Sequence, residues 1–342
     1  MINIEKFACG KINFIRKSSG LPLIGHNAFG VIDRGTNLLQ VRATTICNLN
    51  CIFCSTDAGR FSRTRVNEFI VELEYLLDYV YKVVKFKQIN DIEVHLDSLG
   101  ETMTYPWITE LIGRLRENEN IKTISMQSNG TLLNGKKIKE LEMVGLDRIN
   151  LSILALDAKL AKILAGIANY DIEKVKDVAK RIAESKIDLL IAPVLVPGYN
   201  EGEIPKIIEF GIEIGAGKKF LPFGIQNFMR YKLGRKPKGC RTIRMYDFRK
   251  RMEEYEKKYN IKLILSPKDF GIHKAKMLPI PFKKNEKLNV RIASDGRIMG
   301  EMIGVARERS ISIMRCNANV GDIVKIKILK TKHNLIVAER VK

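Results

Sequence analysis

The sequence predicts an α/β chain: a partial (β/α)6 barrel of TIM type, followed by a small all-β barrel. Three observations carry that prediction. From Leu38 to about Gln226, short apolar runs alternate with longer amphipathic stretches, the pattern of βα units on a parallel sheet. After Pro279-Ile280-Pro281 the pattern changes to five short β-type runs punctuated by Gly296, Gly300, Gly304 and Gly321. Hydrophobic residues make up 45% of the 342 residues, enough for a sizeable core.

In chain order, residues 1–36 are mixed, with Gly10, Ser18-Ser19-Gly20 and Gly35 as breakers, so a short N-terminal extension is expected there. Residues 37–282 are expected to hold the partial barrel, with strands at 39–44, 92–96, 123–127, 148–153, 189–194 and 220–226. Helices are expected over 66–84, where Phe69, Leu73, Leu76, Leu77 and Val80 share a face, and over 107–116, 135–144, 172–185 and 204–214. Six strand–helix units are too few for a closed eight-unit barrel. In such folds active residues gather at the C-terminal strand ends, so residues near 46–54, 97–101, 128–131, 152–157 and 196–200 are expected to share one mouth. A basic segment follows: Arg230 to Arg251 holds ten Lys/Arg and one acid, Asp247, with a helix expected over 246–259. Residues 283–342 are expected to form a separable Greek-key barrel of OB type, with strands at 288–292, 297–303, 310–314, 323–329 and 335–338.

Composition narrows the function classes. Lys+Arg number 59 against 38 Asp+Glu, a net charge of +21, which suggests a polyanionic partner. No run of eighteen apolar residues occurs, so no membrane span is expected. The opening Met1-Ile2-Asn3-Ile4-Glu5-Lys6 lacks a basic-then-apolar signal pattern, which points to the cytoplasm. Six cysteines are too few for a disulfide scaffold, and three of them fall within eight residues.

That triplet, Cys47-Asn48-Leu49-Asn50-Cys51-Ile52-Phe53-Cys54, has the spacing C-x3-C-x2-C just after the first barrel strand. A structural zinc site normally takes four local Cys/His ligands. Here Cys9, Cys240 and Cys316 are isolated and no His lies within forty residues after Cys54. Three thiolates can instead hold a [4Fe–4S] cluster with one iron left open. Zinc and coincidence are the competing readings.

The loop, with aromatic Phe53 before its last cysteine, resembles that of the radical S-adenosylmethionine (SAM) superfamily, and the resemblance runs along residues 38–226. It implies two cofactors: a [4Fe–4S] cluster held by Cys47, Cys51 and Cys54, and SAM chelated to the open iron. It implies reductive cleavage of SAM to a 5′-deoxyadenosyl radical, fed by an electron donor such as a ferredoxin or flavodoxin. Asp97-Ser98-Leu99-Gly100-Glu101 resembles the family's Gly-Gly-Glu segment, with Leu99 in place of the first Gly. Glu101, beside Gly100, is then the acceptor for the amino group of SAM. Ser128 and Asn129 match the family's Thr-Asn-Gly turn, although Asn-Gly is also a general turn pair. Ser152 stands where the family offers a hydroxyl to SAM, and Val196, in Val196-Pro197-Gly198-Tyr199-Asn200, where backbone packs on adenine. Phe53 and Val196 are the expected adenine neighbours.

On the substrate side, His95, Asp97, Gln127, Gln226 and Arg230 are candidates, each of which could equally be an ordinary core or rim group. The tail resembles the TRAM domain, an RNA-binding β-barrel, in Ser294-Asp295-Gly296-Arg297, the turn at Gly304, and Gly321-Asp322 before Ile323-Val324-Lys325-Ile326-Lys327. Lys325 and Lys327 alternate on one strand face where phosphates could be neutralised; lysines that guard an edge strand would look the same. The tail has no Phe, Tyr or Trp after Phe282, so it lacks base-stacking platforms and suits backbone or shape. Arg230, Arg235 and Lys236 are further RNA-contact candidates. The layout is similar to tRNA methylthiotransferases, but only Cys9 precedes the loop, which disfavours sulfur insertion. The expected function is therefore radical SAM modification of RNA, tRNA ahead of rRNA. The alternatives are a peptide, lipid or small phosphorylated substrate, and a non-enzymatic RNA-binding protein with a structural cluster.

Overall fold

The computed structural model describes residues 3–341, so Met1, Ile2 and Lys342 at the ends of the expected spans lie outside the described residues. The chain divides into two compact units. Unit 1 comprises the described residues up to Asn48, Gly59–Thr123, and those from Lys274 onward; unit 2 comprises Leu49–Ala58 and Ile124–His273.

Unit 1 begins with β1 (Lys11–Ile15), β2 (Gly30–Asp33), β3 (Leu38–Arg42), β4 (Asn67–Val71), α1 (Leu73–Lys87), β5 (Ile92–Leu96) and α2 (Ile108–Arg116). The stretch expected as an extension is built into the fold: β1 pairs parallel with β4, and β2 pairs antiparallel with β3. β3 in turn runs parallel to β5. The helix expected from residue 66 starts only at Leu73, because Phe69, Ile70 and Val71 form a fully buried strand. A short apolar run reads alike as buried strand or buried helix, and here β-branched and aromatic residues tip it to strand. α1 then buries Leu73, Leu76, Leu77, Val80, Val83 and Val84 on one face.

Unit 2 takes up the chain within β6 (Ile121–Ser128) and continues through α3 (Gly135–Met143), β7 (Arg148–Leu151), α4 (Ala158–Ala165), α5 (Ile172–Glu184), β8 (Asp188–Ile191), β9 (Val194–Leu195), α6 (Glu203–Glu213), β10 (Gln226–Asn227) and α7 (Met245–Tyr259). β6, β7 and β8 are parallel neighbours. α4 was not anticipated, although Asp157 caps it through a 2.7 Å bond from the Leu160 amide and Gly166 ends it in the left-handed region. The strand expected over 220–226 shrinks to β10, because Pro222 lacks an amide hydrogen and Gly224 has no side chain to pack. The segment still runs beside β8, with Ile191 N–H on Pro222 O (2.8 Å) and Gly224 N–H on Ile191 O (2.9 Å).

Back in unit 1, β11 (Lys287–Asp295), β12 (Glu301–Ala306), β13 (Arg309–Met314), β14 (Ile323–Lys330) and β15 (Val337–Arg340) close a barrel in the order β11-β12-β13-β15-β14. Every pairing is antiparallel except β13 with β15. Val290, Ile292, Ile311, Ile313, Ile326 and Ile328 fill it. The expected five-stranded Greek-key barrel is therefore present, but it does not hang on a linker. Ser310 donates its amide to Ile24 O (2.9 Å) and its hydroxyl to Pro22 O (2.7 Å). Asn67 Nδ2 donates to Gly296 O (2.7 Å), and His26 Nε2 meets Glu301 Oε1 at 3.2 Å, both in buried surroundings. Burial alone would push the Glu301 carboxyl up, but the His26 and Ser312 hydrogen bonds and the Arg297 charge hold it at about 2.

Candidate functional site

The cysteine loop leaves unit 1 after Asn48 and enters unit 2 at Leu49. In unit 2 it docks on the end of α4, with Asn50 N–H on Ala165 O (3.0 Å) and Ile52 N–H on Leu164 O (3.1 Å). Cys54 closes a turn by donating its amide to Cys51 O (3.1 Å), and the Ala58 amide donates to Cys54 Sγ at 3.2 Å. Cys47, Cys51, Phe53 and Cys54 are all half-buried. Among the described residues no three Cys, His, Asp or Glu side chains form a preassembled metal cage. The donor set nevertheless fits an iron–sulfur cluster: three thiols, one of them already accepting a backbone N–H, the kind of bond that tunes cluster sulfurs.

Arg235 was expected to face RNA, yet its side chain is only 17% exposed and lies against this loop. Its amide donates to Cys54 O (2.8 Å) and its Nη1 to Cys51 O (3.2 Å). Its Nε sits 2.6 Å from Asp57 Oδ1. Gly234 makes the approach possible: a Cβ there would stand 3.0 Å from both Cys54 O and Ser55 O. Arg230 and Lys236, the other two candidates of the basic segment, are exposed.

In unit 1 the end of β5 lies on the backbone leading into Cys47. Glu101 N–H donates to Ile46 O (2.8 Å), as does Thr104 Oγ1 (3.1 Å). A Cβ on Gly100 would collide with Ile46 O and Thr45 O, so glycine is required there. Leu99, which replaces the first Gly of the resemblance, is buried, and its carbonyl accepts from Arg65 Nη2 (2.5 Å). Arg65 also reaches Thr45 O (2.6 Å) and pairs with Glu68 at 3.0 Å, both side chains fully buried. No sequence signal marked this brace, since its partners are spread from Thr45 to Leu99. Asp97 is engaged by Arg42 (3.2 Å) and Gln40 (3.0 Å). Glu101 is 2% exposed, with Oε1 accepting the Met103 amide at 3.1 Å. If Glu101 accepts the amino group of SAM, as the resemblance implies, Glu101→Gln weakens SAM binding by about 1.5–3 kcal/mol, the worth of a hydrogen bond to a charged group, while iron content stays constant. Calorimetric SAM titration checks this; unchanged affinity moves the role to another acid.

In unit 2 the strand ends are stitched together. Ser152 N–H donates to Ser128 O (2.9 Å), and Gln127 Nε2 donates to Ser152 Oγ (2.9 Å). Ser128 Oγ accepts the Gly130 amide (3.0 Å), and Asn129 Oδ1 accepts the Thr131 amide (3.0 Å). Val196 is buried, its amide held by Asn200 Oδ1 at 2.7 Å and its carbonyl accepting the Tyr199 amide at 3.0 Å. Asn200 Nδ2 ties Leu154 O (2.8 Å) and Val194 O (2.9 Å), and Glu203 Oε2 accepts the Leu156 and Asp157 amides at 2.7 and 2.9 Å. Of the segments expected at one mouth, 128–131, 152–157 and 196–200 therefore meet within this unit. Nothing in the sequence marks Asn200 and Glu203 as their fasteners, because buried Asn and Glu look like surface residues there. A cavity of about 330 Å³ lies within the unit, lined by Gln127, Asn150, Gln226, Phe248, Arg249 and Phe270 among others, so it contains two of the substrate-side candidates.

The pattern of the Radical SAM superfamily matches residues 41–211. The chain is 47% identical to an uncharacterized protein of Methanocaldococcus jannaschii, over 94% of this chain and 79% of that one. It is 30% identical to the GTP 3′,8-cyclase of Clostridium perfringens over 55% of this chain and 59% of that one, and 28% identical to a probable GTP 3′,8-cyclase of Saccharolobus islandicus over 68% of each. Among solved structures, SuiB of Streptococcus suis, crystallised with S-adenosylmethionine, overlays 69% of this chain and 50% of its own length with TM-score 0.52 at 19% identity. That likeness is one of fold, the TIM-like core expected from sequence; the closed five-stranded barrel is this chain's own strand pairing.

Proposed function

The chain belongs to the radical SAM superfamily, and from that premise we propose that it is an enzyme modifying RNA, with tRNA the favoured substrate. Its cofactors are a [4Fe–4S] cluster and SAM. When bound, they supply a 5′-deoxyadenosyl radical that removes hydrogen from the substrate. Cys47, Cys51 and Cys54 would hold the cluster. Glu101 would accept the amino group of SAM, Ser152 would offer its hydroxyl, and the Val196 backbone would flank the adenine with Phe53. Ser128 and Asn129 keep the turn beside Ser152 in shape. The reaction needs an electron donor, for which a ferredoxin or flavodoxin is our proposal, as is a cytoplasmic location. Among the described residues no helix is long and apolar enough to cross a membrane.

One observation carries the RNA reading: the outer face of β11 and β14. Lys287 stands directly opposite Lys327, with Asn289 opposite Lys325 and exposed Arg291 beyond. Like charges directly opposite on a sheet destabilise it; Glu339 of β15, opposite Lys327 on its other side, offsets part of that cost, and a phosphate backbone laid across Lys287 and Lys325 would offset more. The β12–β13 side is packed on residues 22–26 of the same unit, which supports β11–β14 as the RNA-facing side. The Lys325→Glu/Lys327→Glu variant is expected to bind tRNA more weakly, with the salt slope reduced by about 0.7 for each single-strand phosphate that is no longer neutralised. Filter binding across a salt series measures it.

A second reading is favoured by the cyclase relatives and by the cavity with Arg249 on its lining: a small phosphorylated substrate. It wins if the double variant leaves tRNA affinity and salt slope unchanged while the protein consumes GTP together with SAM.

A further inference from the structure

We propose that Arg235 is a positioning residue for the cluster: it clamps the cysteine loop and presents its remaining N–H donors to a sulfur of the bound group. The inference rests on the cofactor assignment above and goes beyond it by giving a role to a residue outside the cysteine motif. Four observations converge in unit 2. Arg235 holds two carbonyls of the loop, Cys51 O at 3.2 Å and Cys54 O at 2.8 Å, one through its side chain and one through its backbone. It pairs with Asp57 at 2.6 Å, and that carboxylate is only 3% exposed. Asp57 sits at φ +50°, a conformation seldom adopted by non-glycine residues, three positions after Cys54, so the ion pair helps hold the loop's exit turn in shape. Finally, Arg235 Nη2 is buried without a hydrogen-bond partner.

A buried guanidinium nitrogen left unpaired is costly, and it lies on the same fork as the nitrogen bound to Cys51 O. The two Nη2 hydrogens are thus carried on the same fork that binds the backbone of Cys51, one of the three proposed cluster ligands. Donors to cluster or thiolate sulfur stabilise the reduced, more negative state, and so raise the reduction potential. Lysine could not replace this arrangement, since its ammonium lacks the planar fork that serves Asp57, Cys51 O and a third acceptor together.

The test uses the full chain, anaerobically reconstituted, as wild type, Arg235→Gln, Arg235→Lys, and Arg235→Gln/Asp57→Asn. The last variant also removes the charge of the buried carboxylate whose Arg235 ion pair Arg235→Gln breaks, so a folding defect in the single variant does not hide the result. The readouts are iron content, the midpoint potential from an EPR-monitored redox titration, and the rate of iron loss to a chelator. Arg235→Gln is expected to shift the one-electron equilibrium about tenfold toward the oxidised cluster, about 59 mV more negative, and to lose iron several-fold faster. Arg235→Lys should fall between it and wild type. The double variant should regain thermal stability without regaining the potential, a split that a purely structural role would not produce. Wild-type potential and wild-type iron retention in the variants overturn the proposal. So does an unchanged potential with weakened tRNA binding, which would return Arg235 to the RNA-contact set. A wild type that binds no iron fails at the cofactor assignment, an outcome distinct from failure of the clamp.

Discussion

Replacing Cys47, Cys51 and Cys54 together by Ala is expected to take the reconstituted protein from about four irons per chain to none, and to end SAM cleavage altogether. The loss is complete because the other thiols are poorly placed to compensate. Cys240 and Cys316 are buried, and burial pushes both thiols up, away from the thiolate form that binds iron. Cys9 is half-buried and directs its Sγ toward the carbonyls of Ser62 and Arg65, at 3.8 and 3.6 Å. Iron analysis, visible absorbance and 5′-deoxyadenosine release measure the outcome. A triple variant that keeps a full cluster refutes the ligand assignment. A second full cluster in the wild type would revive sulfur insertion, with Cys9, Cys240 and Cys316 as ligands.

Deleting residues 283–342 has the next largest expected effect, and the structure reverses what the Pro279-Ile280-Pro281 stretch suggested. A separable tail would leave a core that still cleaves SAM. In the structure, deletion strips the partners from buried groups across the N-terminal part of unit 1: His26 loses Glu301, Asn67 loses Gly296 O, and the Pro22 and Ile24 carbonyls lose Ser310. Each buried polar group left unsatisfied costs about 1–3 kcal/mol, so several together rival the whole stability of a domain, about 5–15 kcal/mol. The truncated chain is expected to aggregate or unfold, whereas the Lys325→Glu/Lys327→Glu variant should melt like wild type. Circular dichroism and gel filtration separate the two. A truncated chain that is monomeric, folded and competent for cluster uptake would restore the detachable tail.

Much of the chemistry was legible because it is local. Three cysteines in eight residues suggest a ligand set before any folding is considered, and Gly100-Glu101 follows its strand at the place the barrel pattern assigns. The strand–helix alternation and the five tail strands were likewise legible, because the two periodicities arise from backbone geometry within each element. Only the tertiary structure decided what depends on a distant partner. Residues 11–15 read as extension until β4 appears beside them, and 67–71 read as helix until β1 does. Arg235 sits in a run of exposed cations and reads as one more, yet its partner Cys51 lies 184 positions earlier in the chain. The tail reads as detachable because the His26–Glu301 contact spans 275 positions. A residue's charge and hydrogen-bonding capacity are written in its own side chain. Whether they are spent on water, on a ligand or on another part of the protein depends on which surfaces the fold brings into contact.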